Sequence, residues 1–180
     1  MFACPAGGCL GSLGHMSHVP PREYYASLPK HIAGAGAIFH DAAGKVLLVK
    51  PSYLDTWEVP GGGLEHGEDP FQAAVREVKE EIGLELRPGR LLAVDWVPTQ
   101  DDGRPALANF LFDGGRLDSA REREVCLQNG ELTSWVLAAS HEWDGLLAPH
   151  MARRVRACAT ALATGTTAYL QYGLPIVNDL

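Results

Sequence analysis

Three glutamates, Glu77, Glu80 and Glu81, stand at i, i+3 and i+4 within the run REVKEEIG. On a helix this spacing projects their carboxylates from one face within about one turn. Like charges so placed repel, and each pair costs an isolated helix roughly 0.2 to 0.5 kcal/mol. Arg76 and Lys79 offer the nearby compensation. A group of hard oxygen donors held together against its own repulsion invites a divalent cation. Mg²⁺ or Mn²⁺ suits it, because Mg²⁺ is usually held by a few carboxylates together with waters and substrate phosphates. For three glutamates alone, a solvated acidic helix face is the competing reading.

The surrounding sequence supplies the elements that must position these acids. Asp69 as N-cap, Pro70 at the first helical position and Gly83 at the far end bound a helix. Ala74, Val78 and Ile82, with Val75 beside them, give this helix an apolar face opposite the acids, as needed to dock on a sheet. Upstream, Ile32 to Phe39 and Lys45 to Lys50, joined by turn residues from Asp41 to Gly44, predict a hairpin. A short strand over Trp57 to Val59 leads into Pro60-Gly61-Gly62-Gly63. Downstream strands are expected at Leu91 to Val97, Ala106 to Phe112 and Leu132 to Leu137, with a long charged loop over Asp113 to Gly130. Met151, Val155, Cys158 and Leu162 share one face of a helix from about Pro149 to Ala163. The segment Thr164 to Leu180 has no assigned element, although Tyr169, Leu170 and Tyr172 suggest docking on the domain or on a second subunit.

With 180 residues, 15 basic and 22 acidic side chains and 46% hydrophobic composition, the chain describes one globular domain able to bury a core without disulfides. The expected division is an N-terminal extension over 1–21, a domain over 22–165 and a C-terminal tail over 166–180. The Gly-, Ser- and Pro-rich extension reads as a loose tail, with Met16 as an alternative start; Cys4, Cys9, His15 and His18 in it have a spacing that matches none of the usual zinc-finger patterns. No run reaches the ~18 apolar residues of a membrane span, and the first twenty residues lack a secretory pattern. A cytoplasmic protein is expected. The net charge of −7 leaves no electrostatic footprint for duplex nucleic acid, whereas a small phosphate-bearing ligand stays possible where carboxylate-held cations reverse the local sign.

Gly62, Glu68, Arg76, Glu77, Glu80, Glu81 and Gly83 fall in the frame G-x5-E-x7-R-E-U-x-E-E-x-G-U, with Val78 and Leu84 at the aliphatic U positions. This frame resembles the Nudix box in full. The preceding WEVPGG and the Trp135-Val136 segment before a terminal helix are also similar to that family's framework. The resemblance implies an α+β fold, an α/β/α sandwich with a curved mixed β-sheet between helices. It implies hydrolysis of a diphosphate linkage in a nucleoside diphosphate derivative by attack of water on phosphorus, with Mg²⁺ or Mn²⁺ as cofactor and a homodimer as a possible assembly.

Residue by residue, the resemblance makes Gly61 (through its carbonyl), Glu77, Glu80 and Glu81 the metal set, Arg76 the brace of a box glutamate and Glu68 an outer-shell partner. Glu80 or Glu77 is favoured as the catalytic base, with Glu122, Glu124 and Glu131 as candidates outside the box. Tyr53, Trp57, Trp96 and Trp135 offer stacking surfaces for a base, with packing in the core as the alternative for each. Pro98 stands roughly where ADP-ribose-type members carry a proline, at imperfect spacing, and the longer patterns of NADH- or coenzyme A-cleaving members are not found. Two other activities stay open: a pool-sanitising triphosphate pyrophosphohydrolase and a nucleotide sensor without turnover. The isoprenoid diphosphate isomerase branch fits the intact REVKEEIG run less well than hydrolysis does.

Overall fold

A computed structural model describes residues 21–128 and 130–176. The tail expected over 1–21, apart from its last residue, and the cysteines and histidines considered there as zinc ligands lie outside the described residues.

Among the described residues, eight strands form one mixed sheet. They are β1 (Ile32–His40), β2 (Val46–Pro51), β3 (Gly61–Gly63), β4 (Leu91–Val97), β5 (Leu107–Arg116), β6 (Leu132–Ala138), β7 (Ala168–Gln171) and β8 (Leu174–Pro175). The order is β6-β2-β1-β5-β4-β7-β8, and β3 pairs with β1 off this path. Helices α1 (Arg22–Ser27), α2 (Pro70–Ile82), α3 (Ser119–Glu122), α4 (Trp143–Leu146) and α5 (Pro149–Thr164) complete the elements.

Strand β1 is Ala-, Gly- and Ile-rich and buried over its central six residues, which suits a strand covered on both faces. On one face Ala37, Phe39, Leu47 and Val49 pack with Ala73, Ala74, Val78 and Ile82 of α2. On the other, Ile38, Leu48, Leu92 and Leu111 pack with Met151, Ala152, Val155 and Cys158 of α5. The result is the expected α/β/α sandwich, an open mixed sheet between helices.

Helix α2 starts and stops where the sequence places its caps. Asp69 accepts from the Phe71 and Gln72 backbone N–H groups while the Gln72 side chain accepts from Asp69 N–H, a reciprocal capping box. Gly83, at φ 72°, closes the helix in the left-handed conformation.

Four expectations change in three dimensions. The predicted hairpin meets only at His40↔Val46, because the first half of β1 pairs with β3 through Gly34↔Gly63, Ala35↔Gly62 and Gly36↔Gly61. The strand expected over Trp57 to Val59 is displaced onto those glycines, and Trp57 and Glu58 form isolated bridges to Leu147 and Val49. The long loop is shortened in its first half: β5 runs on through a bulge to Arg116, and Asp118 caps α3. Of the tail assigned to 166–180, Ala168–Gln171 and Leu174–Pro175 enter the sheet, β7 lying parallel to β4 with Leu170 fully buried. No helix among the described residues is long and apolar enough to cross a membrane.

Candidate active site

Helix α2 presents its acids toward the glycine strand β3. Gly61 N–H donates to Glu81 Oε2 at 2.9 Å. Two features make this approach specific to glycine. Gly61 has φ 149°, and a Cβ there would stand 2.4 Å from the Ala35 carbonyl oxygen. A Cβ on Gly62 would stand 2.4 Å from Glu77 Oε1, so the strand backbone and the acidic face are in direct apposition.

Arg76 organises the cluster. Its Nε and Nη2 donate to the two carboxylate oxygens of Glu68 at 2.8 and 2.9 Å, a bidentate pair. Its Nη1 donates to Glu77 Oε1 at 2.9 Å and to Glu80 Oε2 at 3.2 Å, and Nη2 also reaches the Gly63 carbonyl at 2.9 Å. The hydrogen bonds from Arg76 hold the Glu68 carboxyl down at about 2. Glu68 thus anchors the arginine while the arginine holds Glu77 and Glu80.

Burial pushes the Glu81 carboxyl up to about 7; the Gly61 N–H opposes the shift, and Glu77, Glu131 and Glu58 add to it. Glu77 is raised for the same first reason, with Arg76 opposing and the charges of Glu80 and Glu131 adding. Glu58 is raised by burial and partly offset by Arg154. Glu58, in the bridge between β2 and β3, belongs to this acidic field, and sequence reasoning missed it. Its one signal was its position beside the glycines.

The donor set suits a divalent cation: hard oxygens in mutual repulsion, with the Glu77 and Glu81 carboxyls raised by burial first and then by neighbouring charges. In the arrangement described, Arg76 and the Gly61 N–H engage these oxygens, and among the described residues no three acidic, histidine or cysteine side chains converge ready-made on one point.

Beside the acids lies a cleft of about 540 Å³ between β1, β3 and β5 on one side and the start of α5 on the other. Glu58 and Gly61–Gly63 form its acidic end; Asn109, Arg104, His150, Arg154 and Tyr172 supply polar groups along an otherwise apolar wall. Of the proposed stacking residues, Tyr53 is 76% exposed, and its hydroxyl is raised by partial burial and then by the charges of Glu131, Glu81, Glu58 and Glu77, so it overlooks the acids rather than the cleft. Trp57 packs against the α5-side core, Trp135 against the α2-side core, and Trp96 lies edge-on to His31 at 5.0 Å; none of the three lines the cleft. Among acids outside the box, Glu131 is close enough to act on Glu77 and Glu81, while Glu122 ends α3 and Glu124 follows it in the next turn.

The NUDIX domain family model matches residues 30–157. Diphosphoinositol polyphosphate phosphohydrolase 3-alpha of Mus musculus is 59% identical over 51 residues, which are 28% of this chain and 31% of that protein. The chain therefore matches about a third of the length of such curated relatives. Among solved structures, a UDP-X diphosphatase superposes with TM-score 0.65 at 21% identity, covering 84% of this chain and 76% of the other. The E. coli ORF135 protein superposes with TM-score 0.55 at 28% identity over 75% of this chain and 93% of that one. An Ap4A hydrolase of C. elegans does so with TM-score 0.55 at 25% identity over 73% and 98%.

Proposed function

The chain belongs to the NUDIX domain family, and from that membership we propose that it hydrolyses a diphosphate linkage in a nucleoside diphosphate derivative. The observation that carries this reading is the contiguity of two dissimilar sites. Glu77 and Glu81 crowd against β3 with Glu80 tied beside them through Arg76, and the cleft that opens from the same strand has an apolar wall with a few polar groups, as a nucleoside requires. The matched curated relatives are named for diphosphoinositol polyphosphates. A ligand so rich in phosphate needs many cations, whereas Arg104 in this cleft is already paired with Asp102 at 2.8 Å and Arg154 with Asp95 at 2.7 Å. A substrate carrying one diphosphate and an uncharged base fits better.

Glu77, Glu80, Glu81 and the Gly61 carbonyl are the groups that would hold a divalent cation, Mg²⁺ or Mn²⁺. Bound there, it supplies Lewis acidity and neutralises charge at the diphosphate. Arg76 restrains Glu77 and Glu80, so the acids meet the substrate already oriented. Glu80, whose side chain is 51% exposed, stands at the open side of the cluster and takes the proton of the attacking water; Glu77 is the second choice. The water oxygen bonds to phosphorus, the bridging P–O bond breaks, and two phosphate-bearing fragments leave. The protein is read as cytoplasmic, in keeping with the free thiols of Cys126 and Cys158.

The test is phosphate release, after coupled phosphatase or pyrophosphatase treatment, across sugar nucleotides, ADP-ribose, dinucleoside polyphosphates and nucleoside triphosphates with Mg²⁺, Mn²⁺ or EDTA. Cation-dependent formation of two monophosphate products is expected. Pyrophosphate release from triphosphates would replace this reading with the pool-sanitising one, and binding without turnover would replace it with a sensor.

A further inference from the structure

Asp95 sits in the middle of β4 with no exposed surface. It accepts from Arg154 Nε at 2.7 Å and from the Gly173 backbone N–H at 3.0 Å. Arg154 is itself 5% exposed, yet it lines the cleft. Its Nη1 turns only to the Met151 sulfur at 3.7 Å, a weak acceptor, and among the described residues no protein oxygen accepts from Nη2. A buried guanidinium is thus oriented by a buried carboxylate while part of its donor fork is left to the cleft.

A second unused donor lies in the same wall. The pairs Gly34↔Asn109 and Asp95↔Asn109 put these three residues in one cross-strand row, and so on one face of the sheet. Gly34 and Asn109 both line the cleft, and a Cβ on Gly34 would press on Asn109 Oδ1 at 3.2 Å and on the Gly62 carbonyl oxygen at 3.1 Å. Asn109 Nδ2 is withdrawn from water and has no hydrogen-bond partner. A buried donor without an acceptor is costly, and a modest rotation toward a ligand in the cleft would satisfy it. Glu58 is the strong acceptor of the cleft, and it lies at the end next to Glu81.

Resting on the reaction proposed above, we infer that this cleft seats the nucleobase and that Arg154 and Asn109 select bases offering carbonyl acceptors, uracil and guanine, over cytosine and adenine. At the ring position where uracil (C4) and guanine (C6) carry a carbonyl, cytosine and adenine carry an amino group, which sets donor against donor there. Asp95 is the positioning residue for Arg154. The C-terminal turn takes part, because Gly173 completes the Asp95 shell and Tyr172, whose carbonyl accepts two bonds from Arg153, borders the cleft.

The test is calorimetric binding of UMP, GMP, CMP and AMP to the full chain in EDTA, where no hydrolysis is involved. UMP and GMP are expected to bind at least about tenfold more tightly than CMP and AMP. Arg154→Lys, which removes the planar fork, should flatten the preference. Should that variant fail to fold, Asn109→Asp carries the test: it exchanges a donor for an acceptor and should move the ratio at least about tenfold toward CMP and AMP, with melting as the check on folding. Equal binding of all four, no binding, preference for AMP or CMP, or an unchanged ratio in Asn109→Asp overturns the inference. Base selectivity without hydrolysis of any diphosphate would instead overturn the reaction on which it rests.

Discussion

The Gly61 N–H and Glu81 Oε2 meet at 2.9 Å, joining positions twenty residues apart in the chain and tying the last turn of α2 to strand β3. The contact depends on a backbone that only glycine adopts readily. Gly61→Ala should destabilise the protein by more than about 2 kcal/mol, since the new Cβ meets the Ala35 carbonyl in a positive-φ conformation. Urea denaturation measures this, with Gly63→Ala, where a Cβ meets nothing within 4 Å, as the mild comparison.

Glu81→Gln should leave the fold intact and lower turnover by orders of magnitude, because it removes a charge from the acidic cluster and little volume. Its stability should carry a pH signature. Unfolded, the carboxyl titrates near its ordinary 4.5; folded, it keeps its proton to about 7, so wild-type stability falls as pH rises between those values. The variant lacks this loss and should exceed wild type by about 1 to 3 kcal/mol at pH 8 in the absence of divalent cations, with the two converging below pH 5. Urea midpoints across that range are the measurement.

Added Mg²⁺ or Mn²⁺ should raise the melting temperature and EDTA should reverse it, because ligands that favour the folded state stabilise it by mass action. The increment should be larger at pH 8 than at pH 5. Glu77 and Glu81 are both raised by burial, so at the lower pH a cation must displace protons to bind. Thermal melts at the two pH values suffice, and a cation effect independent of pH would count against these two residues as its ligands.

Asp95→Ala should cost about 3 to 5 kcal/mol, since it leaves the Arg154 guanidinium buried and unpaired at a site where both side chains are almost fully enclosed. The same change strips the Gly173 N–H of its acceptor and loosens the β7–β8 turn. Chemical denaturation should show the loss, and limited proteolysis should find the C-terminal segment cut first.

Much of the machinery was legible before folding was considered, and the reason is local. The spacing of Glu77, Glu80 and Glu81, the Asp69 cap, the Gly83 stop and the Ala74-Val78-Ile82 face are all properties of one helix, whose 3.6-residue period converts sequence directly into direction. Arg76 and Glu68, eight residues apart, are still within reach of the same local geometry. The error over Trp57 to Val59 has the opposite origin: strand pairing is settled by partners, and β1 offered the glycines a closer approach than it offered the residues before them.

The sequence by itself determined the acidic helix, the family and the reaction to be tested, because those reside in a contiguous run whose side chains are placed by one periodicity. Tertiary structure alone decided the rest. A lone aspartate in the apolar run of β4 and an arginine beside the apolar stripe of α5 are 59 residues apart and carry no motif; only the packing of α5 on the sheet makes them a pair. The same packing draws Glu58 into the acidic field, makes the last strands part of the sheet and leaves Trp57 and Trp96 outside the cleft. Contacts between distant segments depend on which faces bury together, and that is a property of the whole chain's apolar surface rather than of any one stretch of it.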